Sequence, residues 1–335
     1  MKLMKKILCL VLCTIFIIPQ TGCGSDEPVS ENEFCLDTIC TITVYDMKEK
    51  DASAAISNAF SLCRKYENML SKTVEESDVA KLNRAQGKPV KVQDETLEVI
   101  KKGIEYGRLS KGMFDITIGA VSELWNFKDK NGTVPDKEKL EKAVDTVDYR
   151  QIRIDGNKVS LKNPQAKLDL GGIAKGYIAD RVTEQMMADG VSKAVISLGG
   201  NISVIGQKAE DTPWEIGIER PYSDRSEILG KVELTDGTIA TSGVYERYFK
   251  QDGVLYHHVL DPNTGYPVKN TLDAVVVKGT CGQSVDCDAL GTVCLMLGEE
   301  EGRKVLEQFS GIQAAFIDQN DKMTIAGGLE ILPAN

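Results

Sequence analysis

The sequence predicts an α+β protein in which mixed sheets are flanked by helices and packed as two intimate lobes of one domain. Alternating, β-branched segments typical of strands occur along the whole chain. Segments with apolar residues at helical spacing lie between them, without the strict β-α-β alternation that indicates a doubly wound parallel sheet. No Pro/Ser-rich linker divides the chain, so we expect one large core rather than separate domains.

In the first half of the chain, period-two and helical apolar patterns distinguish the elements, and a Ser77-Asp78 capping signal marks one helix start. The predicted elements are a strand over 34–46, a helix over 50–71, a capped helix over 77–85, a turn and short strand over 87–92, a helix over 94–110, an apolar segment over 113–125, a helix over 136–144 and a hairpin over 152–162. The hairpin turns at an Asp-Gly-Asn sequence, and the apolar segment contains the acid Asp115 among apolar and aromatic residues.

The second half contains more strands than helices. The predicted elements are a short apolar strand over 166–170, a helix over 175–190, strands over 193–200, 214–220 and 231–243, an extended segment over 256–268, a strand over 272–279, a helix over 287–298 and a hairpin over 314–328. Several consecutive strands followed by one helix support the α+β class.

The N-terminus is predicted to be a signal peptide. Three lysines (Lys2, Lys5 and Lys6) precede an apolar run that is too short for a comfortable membrane span. We expect residues 1–22 to be removed and the chain to be exported.

The end of this segment resembles a lipobox, in which Cys23 would become the lipidated first residue, although Gln20 stands where leucine is usual. Plain secretion and an uncleaved anchor are the alternatives. Lipidation would hold the protein at the outer face of the cell membrane, with residues 23–32 as a flexible tether and 33–335 as the folded domain.

The charge balance excludes several classes of partner. The chain has 40 basic and 50 acidic residues, with a net charge of −10, and no basic cluster follows the signal segment. Nucleic acid and an electrostatic membrane patch are therefore not expected as partners.

The cysteines leave two interpretations open. Cys9 and Cys13 belong to the signal segment and Cys23 to the lipid, and the remaining thiols are Cys35, Cys40, Cys63, Cys281, Cys287 and Cys294. Cys35 with Cys40, or Cys281 with Cys287, could pair in an oxidising compartment, but the cysteines also suit buried free thiols. A zinc site is disfavoured because the chain has only two histidines.

A candidate phosphate site lies where the predicted strand over 166–170 turns through two glycines into a helix. Gly171 and Gly172 would let a ligand approach the backbone, and Lys175 could then meet a phosphate oxygen. The spacing matches neither the dinucleotide-binding fingerprint nor the Walker pattern, so a purely structural turn is the alternative.

A candidate metal site lies on the helix over 287–298. Asp288 and Thr292 are four residues apart and should share one helix face, where a carboxylate and a hydroxyl could bind Mg²⁺. Asp286 should point elsewhere. The alternative is that Asp288 caps the helix and Thr292 hydrogen-bonds to the preceding turn.

A candidate general base lies beside the Asp-Pro-Asn-Thr-Gly turn. Neighbours on a strand face opposite sides, so at most one of His257 and His258 should face a given cleft. That histidine could accept a proton near neutral pH, and the alternative is a packing role.

The order and spacing of these signals together resemble the ApbE family, the FAD:protein FMN transferases. The matching segments, in chain order, are DTICTITVYD, SDVAKLN, SKGMFDITIG, LDLGGIAKGYIAD, ISLGGN, TSGVYERYF, HVLDPNTGYPV and DALGTVCLMLG. They span nearly all of the chain that follows the predicted signal peptide. The resemblance implies the family's T-fold-like arrangement of sheets and helices.

The resemblance also implies roles for individual residues. It places Met113, Phe114, Asp115, Asp169, Lys175 and the backbone of Val259 at FAD, the carbonyl of Gly172 and the side chains of Asp288 and Thr292 at Mg²⁺, and His258 at the acceptor hydroxyl. Two departures concern the flavin contacts. Leu36-Asp37-Thr38 replaces the family's Met-Gly-Thr, and Thr73 stands where the family has tyrosine.

The implied reaction transfers FMN from FAD to a threonine hydroxyl of a client protein through a phosphoester bond, with Mg²⁺ on the pyrophosphate and with release of AMP. The implied clients are extracytoplasmic proteins that carry a Ser/Thr-Gly-Ala-Thr sequence. Two alternatives remain: a Mg²⁺-dependent FAD pyrophosphatase that gives FMN and AMP, and a surface lipoprotein that binds flavin without catalysis.

Overall fold

A computed structural model describes residues 27–127, 132–223 and 227–334 and confirms the α+β class. The predicted signal peptide and Cys23 lie outside the described residues. Within the described ranges, no helix has the length and apolar character needed to cross a membrane.

Within the part of the chain that the structure describes, antiparallel pairing organises the strands into four sheets. The strands are β1 Val29–Cys35, β2 Thr38–Val44, β3 Val90–Lys91, β4 Ile152–Asp155, β5 Lys158–Leu161, β6 Ala194–Leu198, β7 Asn201–Ile205, β8 Trp214–Glu219, β9 Ile228–Leu234, β10 Gly237–Gly243, β11 Tyr248–Gln251, β12 Val254–His257, β13 Leu272–Thr280, β14 Gln313–Asp318 and β15 Met323–Ala326. The largest sheet has the order β1-β2-β6-β7-β10-β13-β14-β15, and the smaller sheets are β3-β5-β4, β8-β9 and β11-β12.

The helices are α1 Glu49–Leu70, α2 Asp78–Arg84, α3 Asp94–Leu109, α4 Gly119–Ser122, α5 Lys137–Val144, α6 Ala174–Ala188, α7 Ser284–Leu297 and α8 Glu299–Leu306. Six of the described helices lie where helices were predicted, whereas α4 and α8 were not predicted. The predicted cap of α2 is present, because the Ser77 hydroxyl accepts a hydrogen bond from the N–H of Ala80 at 2.9 Å.

The core covers both faces of the large sheet, as β13 shows. Val275 and Val277 pack into the main cluster, to which α1, α6 and α7 also contribute. Val276 points the other way, into a second cluster that contains Trp214 and Ile218 of β8. Burial on both sides explains why β13 is an uninterrupted apolar run rather than an alternating one.

The single strand predicted over 34–46 is wrong. The segment is part of a hairpin in which Cys35 of β1 pairs with Thr38 of β2. Leu36 and Asp37 form the two-residue turn with φ angles of 56° and 58°. No glycine or proline marks this turn, so the alternating pattern runs through it. β1 also begins at Val29, which places residues 29–32 in a strand rather than in the predicted tether.

The short strand predicted over 166–170 is also wrong, because only Lys167 forms a β-bridge, with Ile118. The backbone of Leu168 is instead paired with one side chain. Its N–H donates to the Asn83 Oδ1 at 2.7 Å, and its carbonyl accepts from the Asn83 Nδ2 at 2.9 Å. The Asn83 side chain thus makes the two backbone hydrogen bonds that a neighbouring strand would make.

The six described cysteines are free thiols, so neither of the possible disulfides is formed. Five are buried, and Cys281 is exposed. The Cys40 thiol donates a weak hydrogen bond to the Cys35 carbonyl, with a sulfur to oxygen distance of 3.6 Å.

Candidate active site

A cavity of about 540 Å³ brings together every predicted site residue except Cys23. Those residues are Met113, Phe114, Asp115, Asp169, Gly172, Lys175, His258, Val259, Asp288 and Thr292. Its walls come from the start of α6, the middle of α7, the end of β10, and the loops that precede α4 and follow β12. Its volume lies within the range of small-molecule and cofactor sites.

The glycine turn precedes α6 and adjoins the candidate metal residues. The Asp169 Oδ1 accepts a hydrogen bond from the Gly171 N–H at 3.0 Å, which fixes the entry to the turn. A Cβ atom on Gly172 would lie 3.0 Å from the Phe114 ring and 3.5 Å from the Thr292 Oγ1. The backbone of Gly172 therefore lies beside Thr292, as a shared ligand site requires.

Asp288 and Thr292 share one face of α7, as the spacing predicts, and both line the cavity. The Asp288 Oδ2 accepts a hydrogen bond from the Gly176 N–H at 2.8 Å. Burial raises the pKa of the Asp288 carboxyl, and the charge of Lys175 opposes that rise. A cation bound in the cavity would act in the same direction as Lys175 and favour the ionised carboxylate of Asp288.

The alternative in which Asp288 caps its own helix is wrong. Asp288 lies in the second turn of α7, and the N-terminus of that helix is capped by Asp180 of α6. The Asp180 carboxylate accepts from the N–H groups of Ser284 and Val285, both at 2.9 Å. Thr292 does retain a weak hydrogen bond to the Asp288 carbonyl, at 3.4 Å.

Asp286 points away from the cavity, as predicted. Its Oδ1 accepts hydrogen bonds from the Tyr106 hydroxyl at 2.6 Å and from the Lys102 ammonium at 2.9 Å. α7 thus carries one carboxylate that faces the cavity and one that joins α7 to α3.

The crossing of α6 and α7 depends on Gly176, and we expect Gly176→Ala to destabilise the protein by at least about 3 kcal/mol. The added Cβ would lie 2.3 Å from the Ser284 carbonyl oxygen and 2.6 Å from the Asp288 Cβ. Urea denaturation measures the free energy of unfolding. Gly253→Ala is the control, because nothing lies within 4 Å of its Cβ and only the strain of φ 78° remains, about 1 kcal/mol. Equal losses in the two variants would contradict this packing.

The two histidines lie on different sides, as predicted. His257 ends β12 and is buried, whereas His258 follows that strand and lines the cavity. The His258 Nδ1 lies 3.3 Å from the Arg247 carbonyl oxygen, to which the His258 N–H also donates at 3.1 Å. This contact favours the tautomer protonated at Nδ1 and leaves Nε2 as an acceptor. Burial and the charge of Arg247 lower the pKa of His258 to about 4.

A polar network around Asp169 was not predicted. The Asp169 Oδ2 accepts hydrogen bonds from the Lys72 ammonium at 2.6 Å and from the Ser122 hydroxyl at 2.8 Å. Burial alone would raise the pKa of Asp169, but the Lys72 charge and these hydrogen bonds hold it below its usual value. Lys72 is separated from Asp169 by 97 positions, so local spacing gives no signal for the pair.

The segment that follows α4 supplies an aromatic wall to the cavity, and the segment that precedes α4 contains Asp115. The Asp115 carboxylate supports the preceding segment, because it accepts hydrogen bonds from the N–H groups of Thr117 and Tyr149, both at 2.8 Å. Trp125 and Phe127 line the cavity with ring centroids 5.3 Å apart. Trp125 is fixed by its Nε1–H, which donates to the Gly265 carbonyl at 2.9 Å.

The donor set suits a hard divalent cation. A backbone carbonyl, a carboxylate and a hydroxyl are oxygen ligands of the kind that Mg²⁺ prefers. Within the described ranges, no group of three or more His, Cys, Asp and Glu side chains is arranged to hold a metal ion. Any metal at Asp288 would therefore rely on the neutral oxygens of Gly172 and Thr292, and on oxygens of the substrate.

The α+β fold places a glycine turn, a lysine and a candidate metal helix around one cavity, which defines a class of proteins with a site for a phosphate-bearing ligand. The ApbE family model matches residues 36–316, and the chain belongs to the ApbE family.

Two relatives support this assignment. An FAD:protein FMN transferase of Treponema pallidum is 32% identical over 92% of this chain and 90% of its own length. A protein of the same name from Klebsiella pneumoniae is 36% identical over 80% of this chain and 83% of its own length.

Solved structures agree with the relatives. The ApbE protein of Thermotoga maritima has a TM-score of 0.80 and 31% identity, over 90% of this chain and 97% of its own. The flavin transferase ApbE of Vibrio cholerae also has a TM-score of 0.80, with 28% identity over 91% of this chain and 98% of its own.

Proposed function

We propose that this flavin transferase moves FMN from FAD to a threonine hydroxyl of client proteins, in a reaction that requires Mg²⁺ and releases AMP. The observation that carries the proposal is that His258 faces the same cavity as Lys175, Asp288 and Thr292. The proposed proton acceptor and the residues proposed to bind phosphate thus line one cavity.

The phosphate side of the cavity would hold the FAD pyrophosphate. Lys175 and the start of α6 offer an ammonium and the positive end of a helix dipole. Gly172, Asp288 and Thr292 would hold Mg²⁺, which when bound neutralises pyrophosphate charge. The Gly176 N–H keeps the Asp288 carboxylate oriented toward this region.

His258 would act as the general base. The threonine oxygen attacks the phosphorus of the FMN half, and its proton passes to the His258 Nε2. The new phosphorus to oxygen bond replaces the bond to the bridging oxygen, which leaves with AMP. The Arg247 carbonyl keeps the other ring nitrogen occupied, so Nε2 is the available acceptor.

The flavin ring would lie against the aromatic wall. Trp125 and Phe127 provide apolar ring surface at the cavity, and Met113 and Phe114 add to it. The family resemblance assigns Met113 and Phe114 to FAD, and the rings of Trp125 and Phe127 would extend this surface for a tricyclic ring.

The proposed setting is extracytoplasmic. A lipid on Cys23 would hold the domain, whose first strand begins at Val29, at the outer face of the cell membrane. Clients would be exported proteins that present the acceptor threonine in a Ser/Thr-Gly-Ala-Thr sequence.

The direct test uses the protein from Ser25 onward with FAD, Mg²⁺ and a client domain that carries the acceptor threonine. We expect the intact mass of the client to rise by one FMN residue, and EDTA to prevent the rise. Replacement of the acceptor threonine by valine is the matched control.

Other outcomes would identify the alternatives. Free FMN and AMP without a client mass change would indicate a pyrophosphatase. Unchanged FAD that co-purifies with the protein would indicate a flavin-binding protein without catalysis.

A further inference from the structure

We propose that the guanidinium of Arg247 binds the phosphoryl group that is transferred and thereby stabilises the transition state, a role that rests on the proposed function. Arg247 is one residue of the turn between β10 and β11.

Two observations place Arg247 beside the candidate general base. It lines the cavity together with Ser242 and Gly243 at the end of β10, and with His258. Its carbonyl oxygen also contacts both the N–H and the Nδ1 of His258. The residue that orients the general base is exposed, and its positive charge is close enough to His258 to lower the pKa of the imidazole.

The two lysines that line the cavity already have acidic neighbours. Lys72 forms a salt bridge with Asp169, with a nitrogen to oxygen distance of 2.6 Å. The charge of Lys175 acts on the buried Asp288 carboxyl. Arg247 has no carboxylate within 4 Å among the residues that the structure describes, so its charge is available to an anionic substrate.

The chemistry of the side chain fits this task. Phosphoryl transfer builds negative charge on the non-bridging oxygens, and a guanidinium can donate two parallel hydrogen bonds to them. A lysine ammonium supplies the same charge but cannot donate two parallel hydrogen bonds from one plane. The expected order of activity is therefore arginine, then lysine, then a neutral side chain.

The charge of Arg247 also acts on His258. Burial is the main cause of the lowered pKa of His258, and Arg247 and Lys175 lower it further, while Asp169 opposes them. His257 is the other titratable neighbour. A neutral imidazole is the form that accepts a proton. Loss of the Arg247 charge should therefore raise the pKa of His258. The variant should then lose activity at a higher pH than the wild type does when the pH is lowered.

The test compares Arg247→Met, Arg247→Lys and the control Arg150→Met in the complete FMN transfer reaction. Arg150 is an exposed arginine outside the cavity. For Arg247→Met we expect kcat to fall about 100-fold, with a smaller change in the KM for the client. Arg247→Lys should retain intermediate activity.

A pH profile between about pH 5 and 7 separates this role from a structural one. We expect wild type and Arg150→Met to keep a nearly constant activity over this range, because the pKa of His258 is lowered to about 4, and Arg247→Met to lose activity toward the acid end. Thermal unfolding of each variant shows whether it is folded.

Three results would overturn the inference: a folded Arg247→Met with wild-type kcat, an acid limb that does not move, or a loss confined to the KM for the client. If wild type transfers no FMN, the proposed function fails instead, and the wild-type arm of the experiment identifies that failure.

Discussion

Replacement of Asp288 by alanine is expected to reduce FMN transfer by at least about 1,000-fold, because it removes the single carboxylate of the candidate metal set. The variant should also lose its response to added Mg²⁺ and to EDTA. The Gly176 N–H would lose its acceptor, at a cost of about 1–3 kcal/mol. Client mass at a series of Mg²⁺ concentrations measures the effect on transfer.

Asp286→Asn provides the matched control on the same helix. Asp286 contacts Lys102 and Tyr106 rather than the cavity, so this change should lower stability without removing the Mg²⁺ response. If Asp288→Ala transferred FMN at the wild-type rate, the metal assignment would be wrong.

Replacement of His258 by alanine is expected to lower transfer by about 10²–10⁴-fold while FAD binding is retained. The expected loss follows from the removal of the proton acceptor, since the pyrophosphate side of the cavity is unchanged. Client mass gives the rate, and quenching of flavin fluorescence gives the FAD affinity.

His257→Gln is the control for this variant. His257 is buried and does not line the cavity, so its replacement should affect stability more than transfer. Equal losses of transfer in the two histidine variants would mean that neither acts as the base.

Short-range periodicity predicted those parts of the site that lie within one element. Asp288 and Thr292 were identified by a helical spacing of four, and the opposite directions of His257 and His258 by the geometry of neighbouring strand residues. Both arrangements are present in the structure. Elements with long apolar patterns, such as α1 and α3, were predicted nearly to their ends.

The remaining parts depend on contacts between distant segments. Lys72 reaches Asp169, and the Asn83 side chain pairs with the backbone of Leu168 where a strand was predicted. The turn at Leu36-Asp37 has two residues with positive φ but no glycine. The residue pattern within one segment does not predict its contacts with a distant segment, and such tertiary contacts can override the segment's own preference for a strand or a turn.

The cavity collects residues from Leu36 to Met296, and its central hydrogen bond joins positions that are 112 residues apart. Contacts of such long range form late in folding, because the long chain segments between them must first be closed. A chain that ends before α7 would keep the glycine turn and Lys175 but would have no candidate metal helix. Affinity for FAD should therefore report that the entire chain has folded, and a ligand that binds the native cavity would stabilise the whole molecule rather than one segment.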